Sequence, residues 1–254
     1  MEGMIETAAE PDVGPYGVLG LLLSLLGVLA ITLGVLAGLA GLFALIDGLL
    51  FGWADVGDSF AALTSGSLDQ VATAGLLIGS AAYLAAAVAI FAVARRRAGA
   101  GWRSLLGWAP FRTDRVFWLL LLGALTYQLA AGALVRFIHP EAKNWLILPD
   151  GPLGVASAFL LVVLLAPLCE ELLFRGWIYT ALRFHYSFGA ALWITAVLFA
   201  LAHWEPTHLY AMAILPMGLL LGYLRERTGS TGTTILFHTL YNFAGLLVTF
   251  LGKP

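Results

Sequence analysis

The chain holds a single cysteine, Cys169, in 254 residues, so neither a disulfide framework nor a CxxC metal pair can form within it. Charge is almost as scarce: 11% of residues are charged, against roughly a quarter in an ordinary soluble domain, which argues against a soluble fold. The formal net charge of −2 provides no basic field to attract nucleic acid. Two hydrolase signatures are missing. There is no HExxH, and the nearest approach to GxSxG is "TGSTG" at 228–232, with Thr228 in the first position. The opening stretch "MEGMIETAAEPDVGPYG" is acidic rather than basic, so no cleaved signal peptide is expected and the first apolar helix is expected to stay.

What fills the chain instead is apolar sequence, 61% of it. Apolar runs fall at 16–51, 71–93, 116–135, 153–174, 188–203, 209–224 and 233–251, and a membrane-spanning helix needs about 20 such residues. The expected fold is therefore all-α, a polytopic transmembrane bundle of seven spans, or eight if the long first run folds as a hairpin. One long helix is preferred there because no Pro or Asn-Gly turn interrupts it. The loop 94–115 carries Arg95, Arg96, Arg97, Arg103, Arg112 and Arg115 against one acid, Asp114, and short basic loops stay in the cytoplasm. Alternating spans put Arg183 and the "RERTG" of 225–229 on the same side. The acidic loop 52–70, with Asp55, Asp58 and Asp69 and no basic residue, then faces outward. The organisation expected is 1–115 as an N-terminal pair of helices with its basic loop, and 116–254 as the domain that holds the intramembrane polar residues.

Charge inside an apolar run is costly: about 2.5–3.5 kcal/mol at the least for one acid or guanidinium at mid-bilayer. Yet "LLAPLCEELLFRGW" at 164–177 holds Glu170, Glu171 and Arg175. Glu171 and Arg175 are four apart and share a helix face, so one acid is paired, whereas Glu170 points about 100° away and is left free. Pro167 removes a backbone donor just upstream. Two later runs add Phe199 with His203 in "LFALAHW", and His238 with Asn242 in "ILFHTLYN", each pair at i, i+4. Such groups can be interhelical glue, and Glu170, Glu171 and Arg175 can be a packing network. A shared pocket satisfies them all at once. His139, His185 and His208 lie near span ends and read as interfacial.

A carboxylate beside an imidazole can take a proton from water, and the hydroxide so formed can attack a carbonyl whose developing charge needs fixed donors. Glu170 and His203 suit the first task, His238 and Asn242 the second, with Glu171, Arg175 and Phe199 in support. A zinc-dependent peptidase using Glu and two His competes with this reading. So does a non-catalytic scaffold or immunity protein with the same composition. A cysteine protease would have to use Cys169, whose neighbour Glu170 disfavours a thiolate.

The three motifs, "EELLFR" (EExxxR), "FALAH" (FxxxH) and "HTLYN" (HxxxN), stand in order on successive apolar helices over 153–251. The chain resembles the CPBP family, the CAAX-protease and bacteriocin-processing group also called Abi, which includes the type II CAAX prenyl endopeptidases. The resemblance implies an intramembrane glutamate-dependent endopeptidase in the cell membrane, with Glu170, His203, His238 and Asn242 as catalytic groups and Glu171 and Arg175 beside them. Its implied partner is a membrane-associated peptide or protein, prenylated or leader-bearing, and neither metal nor cofactor is assigned. It leaves the substrate and the oligomeric state open. His203 lies about 24 Å along its helix from the basic side at the usual helical rise, which calls for a tilted helix or a broad water-filled cavity.

Overall fold

A computed structural model describes residues 18–51, 68–138, 149, 151–204 and 209–252. The expected N-terminal segment, the tip of the acidic loop with Asp55 and Asp58, and His139 and His208 lie outside the described residues. Those described form seven helices and no strand: α1 (Val18–Phe51), α2 (Leu68–Ala98), α3 (Arg115–Ile138), α4 (Pro152–His185), α5 (Phe188–Ala202), α6 (Leu209–Thr228) and α7 (Thr231–Leu251). The first apolar run is one unbroken helix, not a hairpin. All but α5 are long and apolar enough to cross a membrane. Leu22, Leu26, Leu29 and Leu33 of α1 and Leu119, Leu122 and Leu129 of α3 are exposed. An apolar surface of that extent suits lipid and not water, and the chain is a multi-pass integral membrane protein.

Local chemistry sets the helix ends. Pro152 opens α4, where its missing N–H is no loss. Ser187 and Ser230 cap α5 and α7 by accepting from Ala190 N and Thr233 N. Gly229, at φ 66°, follows the last residue of α6 in the left-handed conformation, and its N–H bonds to Arg225 O at 3.0 Å.

One end of the bundle gathers the basic residues. The first turn of α1 lies beside Arg97 in the last turn of α2, and the segment between α2 and α3 folds back onto the α6–α7 turn. There Thr231 Oγ1 donates to Leu106 O, Thr231 N to Gly107 O, Ser230 Oγ to Ala109 O, and Arg112 N to Thr233 Oγ1. Arg227 pairs with Asp114 at 2.6 Å, and this guanidinium holds the Asp114 carboxyl below the usual carboxylate range. Arg183 at the end of α4 pairs with Glu226 of α6 at 2.9 Å, so the three arginine-bearing junctions share a side, as alternating spans require.

At the centre α4 touches α2, α5, α6 and α7. Small residues set the approach. A Cβ on Gly218 of α6 would lie 3.2 Å from Cα and O of Ala196 on α5, so these two backbones meet closely, as small residues allow in membranes. α5 is 15 residues long, about 22 Å, and stops short of the roughly 30 Å hydrocarbon core.

Replacing Gly218 by Val should cost about 1–3 kcal/mol through overpacking against the α5 backbone. Gly123→Ala on α3, with open space around its Cα, should be neutral or gain about 0.5–1 kcal/mol from helix entropy. Thermal unfolding in detergent compares the two, and equal melting temperatures would show that α5 and α6 are not in backbone contact.

Candidate active site

α4 does not wind uniformly. It is π-helical over Phe159–Leu165, α-helical over Ala166–Glu171, and π-helical again over Leu172–Ile178, so the two acids end the α-helical turn that begins beside Pro167. Wide turns of this kind accumulate at functional sites, and here outside donors service the loosened carbonyls. Asn242 Nδ2 donates to Val162 O at 2.9 Å in the first wide segment, and Arg225 Nε to Arg175 O at 3.1 Å in the second.

The two acids turn to different surroundings. Glu171 and Arg175 are both 0% exposed and joined at 2.9 Å through Glu171 Oε1 and Arg175 Nη1. His238 Nδ1 lies 3.1 Å from the same Oε1, and Arg175 Nη2 donates to Gly218 O at 2.8 Å. The guanidinium also lies 4.4 Å from the centroid of Phe199, whose face offers it the ring's negative charge. A single buried charge pair thereby binds α4 to α5, α6 and α7. Among the described residues, Glu171 Oε2 and Arg175 Nε have no hydrogen-bond partner.

Glu170, by contrast, is 12% exposed and faces His203, 20% exposed, with Oε2 3.9 Å from Nε2. The reason His203 presents Nε2 is local. Its backbone N–H bonds to Ala200 O as α5 tightens at its end, which frees Phe199 O to accept from the ring at Nδ1, 2.8 Å away. With Nδ1 donating to Phe199 O, Nε2 is the ring nitrogen turned toward Glu170. The other Glu170 oxygen, Oε1, accepts from Tyr83 Oη at 3.0 Å. Tyr210 closes the cluster, its ring 5.7 Å from that of His203.

Phe199 separates these two clusters and touches both, with ring centroids 4.7 Å from His203 and 5.9 Å from His238. The motif residues therefore gather within one part of the bundle, but they do not converge on a single point. Asn242 is engaged on the α4 backbone, and His238 on Glu171. Cys169 points into the apolar cluster with Ala87, Ile90 and Leu172. His185 is exposed at the end of α4. Among the described residues no three His, Cys, Asp or Glu side chains form a metal-holding group. Tyr83 escaped sequence reasoning. Its signal was a lone phenol in the alanine-rich middle of α2, where a hydroxyl at membrane depth needs a partner.

Residues 152–244 match the family described as type II CAAX prenyl endopeptidase Rce1-like. UPF0177 protein YbdI of Lactococcus lactis subsp. lactis is 29% identical over 147 residues, covering 54% of this chain and 78% of that protein. No solved structure matches. Over residues 152–244 the chain is similar to that family, and the matched stretch includes all three motifs.

The unequal burial of the two acids has a measurable consequence. Glu171→Gln leaves the Arg175 charge buried without its partner and should cost about 3–5 kcal/mol, whereas Glu170→Gln, at a partly open position, should cost less than about 1 kcal/mol. Unfolding of the purified variants measures both; similar losses would mean that the acids are not divided between a sealed and an open cluster.

Proposed function

We propose that this protein hydrolyses a peptide bond in a membrane-associated peptide, of the C-terminal CAAX-like or leader-bearing kind, with water activated by Glu170 and His203. One observation carries the reading. Of the charged groups at the centre of the bundle, the Glu170–His203 pair is the one left partly open, and the 3.9 Å between Oε2 and Nε2 puts both within reach of one water.

In the proposed reaction Glu170 takes a proton from that water, and the oxygen forms its bond to the substrate carbonyl carbon. The carbonyl electrons move to oxygen, where fixed donors hold the charge. His238 and Asn242 are the proposed donors. Because the His238 Nδ1–H is directed at Glu171, donation to the oxyanion from this ring requires a proton on Nε2 as well. Asn242 has a second amide hydrogen beyond the one given to Val162 O. The C–N bond then breaks, and the proton held by Glu170 passes to the leaving amine. Phe199 keeps both imidazoles at their spacing. No protein nucleophile and no covalent intermediate are involved.

The proposed setting is the cell membrane, and the basic ends of α2, α4 and α6 support an orientation with those ends in the cytoplasm. The buried Glu171–Arg175–His238 cluster supports the neighbouring open one by holding the α4 backbone that carries Glu170.

Detergent-purified protein should cleave a membrane-tethered peptide, and both Glu170→Gln and His203→Ala should lower kcat by at least about 1,000-fold, several kcal/mol in the barrier. Cells bearing Glu170→Gln should accumulate the same uncleaved peptides as cells lacking the protein. Full activity in either variant would sink this mechanism.

A further inference from the structure

We infer that Tyr83 is a positioning residue for Glu170, so that a helix outside the family-matched stretch completes the site. The inference rests on the reading of Glu170 as the water-activating carboxylate.

The placement of Tyr83 follows from the face on which α2 carries it. Gly79, Tyr83, Ala87, Ile90 and Ala94 recur at intervals of three and four and so form one stripe. Ala87, Ile90 and Ala94 are buried in a common cluster with Cys169, Leu172 and Trp177 of α4. At the other end a Cβ on Gly79 would come within 2.9 Å of Leu161, so α2 lies against α4 above and below the acids. Within this row of small or slender residues Tyr83 is the one side chain long enough to cross to Glu170, and its hydroxyl reaches Oε1 at 3.0 Å.

The last torsion of a glutamate is broad and roughly two-fold, so a carboxylate held only by its stem presents its oxygens over a wide arc. His203, at 3.9 Å, is beyond hydrogen-bond range and cannot fix that torsion directly. Tyr83 can. With Oε1 anchored on the phenol, Oε2 is held toward His203 Nε2, where the shared water must sit. The phenol stays protonated throughout and contacts neither water nor substrate. Its loss should therefore lower the rate of the chemical step and leave substrate binding alone.

The test uses the full-length protein in detergent with a cleavable membrane-tethered peptide. Tyr83→Phe keeps the ring and removes the donor. It should lower kcat about 10- to 100-fold, the range of a misplaced catalytic group, with KM within about twofold and an unchanged melting temperature. p-Aminophenylalanine at position 83 restores a donor at the same place and should return kcat to within about threefold of the parent, whereas p-fluorophenylalanine should not. These two variants decide the matter even if Tyr83→Phe is poorly folded. A purely packing role predicts equal kcat for all the ring variants, and that result overturns the inference. Glu170→Gln is run alongside. If it is inactive while the ring variants all match the parent, only the role of Tyr83 fails; if Glu170→Gln is itself active, the proposed mechanism fails first.

Discussion

The bundle turns on one ion pair placed where ion pairs are expensive. Glu171 and Arg175 are wholly buried, and two charges taken out of water cost several kcal/mol each unless geometry and further hydrogen bonds compensate. Compensation here recruits three of its neighbours: His238 from α7, the Gly218 carbonyl from α6 and the Phe199 ring from α5. A shift of any of these helices would remove one of the contacts that compensate the buried pair. Between helices in lipid there is little hydrophobic driving force, so this polar hub fixes their relative positions in a way that their leucines cannot.

That rigidity gives the adjacent residue its use. Glu170 follows the same backbone but turns to α2 and to the end of α5, where His203 stands partly open. One helix turn thus carries a structural acid and an available acid side by side, each made what it is by its surroundings. The wide turns on both sides of Ala166–Glu171 belong to the same arrangement. They loosen carbonyls that Asn242 and Arg225 then occupy, which ties the winding of α4 to α7 on one side of the acids and to α6 on the other.

Much of this was legible in the sequence, because the information lay within single helices. Apolar length located the seven helices, and the basic loops located the end where they share a side. The four-residue spacing of Glu171 and Arg175 separated one acid from the other before any tertiary contact was known. What spacing within a helix cannot give is the partner across helices. His238 on Glu171, Asn242 on Val162 O and Tyr83 on Glu170 join residues 67, 80 and 87 positions apart. Nor does a π-helical turn announce itself, since residues 159–165 read as an ordinary apolar run. The end of α5, by contrast, could be read from the sequence, since the apolar run 188–203 stops one residue past the helix end at Ala202.

The N-terminal helices illustrate why composition alone understates them. α1 and α2 look like bland anchors, yet α2 packs its small-residue stripe on α4 and the segment after it locks onto the α6–α7 turn through Leu106, Gly107 and Ala109. Gly107, at φ 56°, is required there: any Cβ would collide with the Arg225 guanidinium, the same group that holds Arg175 O. The loop backbone, Arg225 and the α4 carbonyl thus form a continuous chain of contacts from the basic end to the buried ion pair. A helix pair that contributes both a hydrogen bond to Glu170 and the support beneath Arg175 is part of the site's framework, and the polar centre of this protein is built from both halves of the chain.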